Sequence, residues 1–364
     1  MNARLFRDGI RRVVLTPLVS RPLSRLSRRW VNDATSIFAL HRFTSTDLGI
    51  TGHAPDRLRA NLAYLRREGF ALRSLEEFVR GTAAGSTHSR PSAVFTVDDG
   101  YSDFLNVALP IFAEFDCPVT VFVSTGVIDG EHWYWWDKLE YIFSNSPVAQ
   151  QALTSLGWRP EQAMGTQPEL VRRSRHLVDA LVTVPEEVRG RVLEDLRMSM
   201  EVDVPVSPPP SFAPMTWTDI ERCDATGIAT FGPHTISHPA LPTTSDAQAT
   251  REIIGSWERI QERVPSAVPV FCYPFGAYSE REVGILSSSD MLGAVTVEPT
   301  YAQRSSSLAG GSRARSFSIP RFGYPDETIE FSQVVSGFEG LKAALRRRFS
   351  GRSVGGESSS ASAG

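Results

Sequence analysis

Ala93-Val94-Phe95-Thr96-Val97-Asp98-Asp99-Gly100 sets an apolar, β-branched run directly against two acids and a glycine. The first five residues predict a buried strand. Two adjacent carboxylates at the end of such a strand are costly to bury without a partner. Neighbouring strand residues point to opposite sides. At a strand end, however, the backbone can turn both acids into the mouth of a barrel, one to bind a metal and the other to act as a base. The plainer alternative is a strand-terminating turn, because Asp and Gly favour turns.

Outward from this stretch, short apolar runs alternate with helical patterns. Ser36 to Leu40 reads as a strand, and Pro55 to Glu68 as a helix, with Leu58, Leu62 and Leu65 at helical spacing. Asp103 to Phe115 reads as a helix and Val119 to Val123 as a strand. Ile228 to Phe231, Val268 to Tyr273, Gly293 to Val297 and Phe317 to Pro320 are further strand candidates. Thr244 to Val264 and Ser279 to Leu286 are further helix candidates. Strand, helix, strand is the signature of parallel βαβ units, and about seven strands suggest a distorted (β/α)-barrel or a doubly wound sheet. The polar motifs fall at C-terminal strand ends, where barrels place catalytic residues, and this favours the barrel.

The barrel is expected over residues 35–126 and 215–330. Residues 127–214 interrupt it with an aromatic start (HWYWWDKLEYIF), Glu/Arg-rich helical sequence and a proline run, and are expected to form a mostly helical insertion. Trp133, Trp135 and Trp136 can stack on the apolar face of a sugar ring or dock the insertion onto the barrel. Residues 1–34 form an arginine-rich arm. Residues 351–364 form a Gly/Ser-rich tail expected to be disordered.

Three further stretches carry chemistry. In Gly232-Pro233-His234-Thr235-Ile236-Ser237-His238-Pro239, two histidines four apart can converge on one ion. With a carboxylate such as Asp99 they form a common ligand set for a divalent metal, with positions left open for water and substrate. Phe271-Cys272-Tyr273-Pro274-Phe275-Gly276 reads as a strand entering a tight turn able to present backbone N–H groups to an oxyanion, or as an ordinary loop. In Leu40-His41-Arg42, the histidine can protonate a leaving group or simply cap the strand end.

In combination, FTVDDG, HTISH and YPFG resemble the polysaccharide deacetylases of carbohydrate esterase family 4, the NodB-homology domain. The resemblance covers roughly residues 36–126 and 215–325. It implies that Asp98 is the general base, that Asp99, His234 and His238 hold one divalent metal ion (zinc by default), and that the backbone N–H of Phe275 stabilises the oxyanion. Two departures stand out. Cys272 occupies the position where many members carry an arginine that orients the base, and Arg321 is the candidate replacement, with a surface ion pair as the alternative. No histidine follows His238. Members with a rearranged order take the acidic histidine from the first strand, in a context similar to Leu40-His41-Arg42, which makes His41 the candidate general acid. Tyr101 and Trp135 join Phe275 and Arg321 as candidate substrate contacts.

The implied reaction is hydrolysis of an acetyl group, N-linked by preference, from a sugar in a glycan or glycan precursor. A metal-dependent amidase acting on a small cyclic or linear amide stays open, as does a catalytically silent carbohydrate-binding module. A net charge of -3 predicts no nucleic-acid partner. The three cysteines, an odd number without a CxxC pair, predict neither a zinc ribbon nor a disulfide scaffold. The apolar stretch of roughly 7–15 residues that a secretory signal needs is missing from the basic start, so a cytoplasmic location is expected. The arm itself is read either as a weak membrane-surface contact or as a solvated segment.

Overall fold

The computed structural model describes residues 34–83, 90–148, 151, 177–303 and 316–340. The expectations for the basic arm, apart from Ala34, and for the Gly/Ser-rich tail fall outside these residues. No helix among the described residues is long and apolar enough to cross a membrane.

The strands in chain order are β1 (Ala34–Leu40), β2 (Ala71–Arg73), β3 (Ser92–Val97), β4 (Val119–Val123), β5 (Ala229–Pro233), β6 (Val270–Cys272), β7 (Gly293–Val295), β8 (Ala302–Gln303) and β9 (Phe322–Gly323). The main helices are α1 (Pro55–Arg67), α2 (Leu75–Ala83), α3 (Leu109–Glu114), α4 (Trp135–Asn145), α5 (Glu186–Ser199), α6 (Trp217–Asp224), α7 (Ser256–Arg263), α8 (Glu280–Ser287) and α9 (Thr328–Val335).

β1 pairs β3, β3 pairs β4 and β4 pairs β5, all in parallel. The Val268 N–H then reaches the Phe231 carbonyl at 2.7 Å and links β5 to the segment entering β6. β6 pairs β7, Val295 bridges Ile319, and β9 returns to β1, again in parallel. The strands thus follow one another around a distorted barrel, the expected class. β2 pairs only the first half of β3, and β8 is antiparallel to β1.

Alternation along the strands sorts residues between two apolar clusters. Phe38, Leu40, Phe95, Val97, Val121 and Val123 pack outward under the helices. Ile37, Val94, Phe122, Val270, Cys272, Val295 and Ile319 gather on the other face of the strands. The same parity carries Thr96 and Asp98 onto the face of Val94.

Several boundaries differ from expectation for local reasons. Phe317 to Pro320 is not a strand. Only Ile319 bridges there, and pairing resumes at Phe322, because Pro320 has no N–H for a ladder. The helix expected over Asp103 to Phe115 opens into a wide π turn at Phe104–Ala108, ahead of the ring of Pro110, which cannot donate. The helix expected over Thr244 to Val264 likewise contains a π turn, at Arg251–Gly255. That turn carries the buried carboxylate of Glu252.

Candidate metal centre

Asp99 and Gly100 both take positive φ, 74° and 68°. A side chain on Gly100 would meet Val123 Cγ1 at 2.7 Å, so only glycine fits there. This turn bends the chain after Asp98 and brings the Asp99 carboxylate into the barrel mouth beside the histidines of the 234–238 loop.

Asp99 Oδ1 lies 3.6 Å from His234 Nε2 and 3.5 Å from His238 Nε2, and the two imidazole nitrogens are 3.1 Å apart. All three side chains are buried. His234 Nδ1 donates to the Cys272 carbonyl at 2.7 Å, which leaves the Nε2 lone pair facing the centre. Asp99 Oδ1 has no hydrogen-bond partner among the described residues. A buried carboxylate oxygen without a donor is costly, and a cation offsets that cost. Tetrahedral ligands about 2.0–2.1 Å from an ion stand roughly 3.3 Å from one another, close to the spacings found here. The donor set therefore fits one divalent metal. Burial, with the charges of Asp98 and Asp137, raises the Asp99 carboxyl well above its usual range. Burial lowers His234 to about 4, and burial with His234 lowers His238 well below 6.5. Both imidazoles are thus neutral, the form that ligates.

The histidine loop is held in an unusual shape, with Thr235 at φ 69° and His238 at φ 59°. The Glu252 carboxylate accepts from the backbone N–H of Ile236 and Ser237 at 2.8 and 2.9 Å and from the Ser237 hydroxyl at 2.7 Å. Glu252→Ala leaves these donors unpaired. It is expected to cost about 2–4 kcal/mol in urea unfolding, from charge-assisted bonds of about 1.5–3 kcal/mol each with partial solvent compensation. Metal affinity should fall with it.

Asp98 is gripped on both oxygens by the fully buried Arg321, Nη1 to Oδ1 at 2.7 Å and Nη2 to Oδ2 at 2.8 Å. Arg321 is itself fixed by the Thr296 carbonyl and the Thr96 hydroxyl, and its Nη2 lies 3.2 Å from Cys272 Sγ. Burial alone would raise the Asp98 carboxyl, but the Arg321 charge and hydrogen bonds hold it well below the usual carboxylate range. Arg321 is thus an interior partner of Asp98, not a surface ion pair, and it stands beside the cysteine that occupies the motif position.

His41 stands at the mouth with half its side chain in solvent, its Nε2 3.8 Å from Asp98 Oδ2. Partial burial lowers its pKa from 6.5 against the pull of Asp98, and Arg321 adds to the lowering. Phe275 takes φ 57° in the YPFG turn, and its ring meets His238 edge to face at 4.7 Å. Tyr101 is buried. Its hydroxyl donates to Asp137 at 2.7 Å and accepts from Trp136 Nε1 at 3.0 Å, with the Arg42 guanidinium 3.9 Å over the ring. Burial raises Asp137 to about 8 despite Tyr101 and Arg42.

The tryptophans divide. Trp135 packs with Leu139, Phe143 and Leu181, with Arg189 over its ring at 5.0 Å, and so belongs to a small core of its own. Its neighbour Trp136 is the one beside the site, 4.7 Å from His238 and 5.8 Å from Phe275, stacked on Tyr134 at 4.5 Å. Trp135, Leu139 and Phe143 stand at i, i+4 and i+8, a stripe that marks Trp135 as a core residue from sequence alone. Asp137, directly after the Trp135-Trp136 pair, and Tyr134 are residues that sequence reasoning missed.

Residues 202–292, which include both histidines and the YPFG turn, match the family model described as polysaccharide deacetylase. No curated protein matches the chain. Among solved structures, a Streptococcus pyogenes deacetylase, PplD, in complex with acetate is 17% identical, covering 81% of this chain and 93% of its own with a TM-score of 0.51. A de-N-acetylase from Aggregatibacter actinomycetemcomitans is 13% identical, covering 85% and 99% with a TM-score of 0.52. IcaB from Ammonifex degensii is 12% identical, covering 84% and 98% with a TM-score of 0.51. At these identities the likeness is one of fold.

Proposed function

We propose that this chain, a hydrolase of the polysaccharide deacetylase family, removes an N-linked acetyl group from a sugar in a glycan or glycan precursor, with one divalent ion, zinc by default, held by Asp99, His234 and His238. The observation that carries the reading is the pairing of two buried groups in one barrel mouth. An Asp-His-His set has an unpartnered oxygen, and beside it an ionised Asp98 is clamped by Arg321. The structural relatives named as deacetylases, one of them holding acetate, support the reaction class.

When bound, the metal would polarise the acetyl carbonyl and lower the pKa of water. Asp98 serves as the base. Arg321 keeps it ionised and fixes its direction. The resemblance assigns the Phe275 N–H to the oxygen that gains charge as the carbonyl carbon becomes tetrahedral. His41, open to solvent on the same side as Asp98, gives a proton to the departing amine.

That last role has a distinctive consequence. His41→Ala is expected to slow hydrolysis of an N-acetylated sugar about 10²-fold, the low end for general acid catalysis. Hydrolysis of an aryl acetate should change little, because its leaving group needs no proton. Equal losses on both substrates would remove His41 from the proton path. The reaction itself is tested by turnover across a panel of N-acetylated oligosaccharides, O-acetylated sugars and small cyclic amides, read as acetate release for the acetylated sugars and as ring-opened product by mass spectrometry for the cyclic amides. The N-acetylated sugars should turn over fastest. Turnover confined to the small amides would overturn the proposal.

A further inference from the structure

We propose that Tyr134, from the segment between β4 and β5, is a positioning residue that completes the metal centre by holding the backbone of Asp99. This rests on the reading of Asp99, His234 and His238 as metal ligands. The Tyr134 hydroxyl donates to the Asp99 carbonyl at 2.7 Å, and both residues are buried. Asp99 sits at φ 74°, a region costly for a non-glycine residue, and the Tyr134 bond helps hold it there.

The hydroxyl does not act alone. Ser124, at the end of β4 and wholly buried, donates to the His234 carbonyl at 2.9 Å. Two buried hydroxyls therefore fix the main chain of two ligands. The Tyr134 ring is itself fixed, stacked on Trp136 and 5.5 Å from the His238 ring. The aromatic segment thereby touches the third ligand as well. These contacts assign it a part in metal binding, whatever part it has in binding sugar.

Outer partners of metal ligands set affinity, and their loss typically weakens binding about 10–100-fold. Tyr134→Phe keeps the ring and its stacking and removes only the hydroxyl. Co²⁺ titration of the metal-free protein, followed by its visible absorption bands, is the test. Tyr134→Phe should raise the dissociation constant about 10–100-fold and shift the bands, while circular dichroism stays that of the parent. If that variant does not fold, Ser124→Ala is read in its place, with the same expectation. Affinity within twofold of the parent and unchanged bands would overturn the inference. A parent protein that itself binds no Co²⁺ would instead defeat the metal reading on which the inference stands.

Discussion

Replacing Asp98 by Asn is expected to reduce kcat for N-acetyl hydrolysis by about 10⁴-fold, the upper end for loss of a general base. The side chain is nearly isosteric and is not one of the proposed ligands, so metal content should hold at the parent's level. The measurement is acetate release per folded, metal-loaded chain. A loss of metal in parallel with activity would instead make Asp98 part of the binding site. Activity within tenfold of the parent would end its role as base.

The second large effect concerns Arg321. Arg321→Met removes a buried cation and leaves the Asp98 carboxylate unpaired beside Asp99. Breaking such a pair from one side costs about 3–5 kcal/mol. The sign with pH follows from linkage. In the parent, the folded pKa of Asp98 is depressed, so its stabilisation is present above the unfolded carboxylate value and is lost as pH falls through the folded one. In the variant, burial and Asp99 push the folded pKa upward, so the penalty grows as pH rises and shrinks toward acid. Urea unfolding from pH 4 to pH 8 should therefore show parent and variant diverging with pH. The acid limb of the pH–rate profile should move upward in the same variant, because Asp98 is then protonated over a wider range. Parallel stability curves would mean that losing Arg321 leaves the protonation of Asp98 in the folded state unchanged.

Much of this site was legible in the sequence because strand periodicity and motif spacing act locally. Val94, Thr96 and Asp98 share a face by alternation, and the Asp-Gly step after Asp98 supplies the positive φ that turns Asp99 into the mouth. His234 and His238 follow β5 directly, so their convergence needed only a short loop. Arg321 was legible as a candidate from its place after the last expected strand, but its partner was not. An arginine 223 residues from Asp98 in sequence is brought to it only by closure of the barrel. Tyr134 and Asp137 were hidden for a different reason. They lie in a run so rich in aromatics that composition could not separate residues facing the site from those facing their own core. Only the helical phase of Trp135, Leu139 and Phe143 makes that distinction. The two π turns carry no sequence signal that periodicity detects, since each shifts a helix by a single residue.

The most direct test of the metal centre is a titration of metal-free protein with Zn²⁺ while acetate release from an N-acetylated oligosaccharide is followed. Activity should climb linearly to a break at one equivalent per chain, and His238→Ala should stay flat across the same range. Full acetate release before any metal is added, or an unchanged break in the His238 variant, would contradict the assignment.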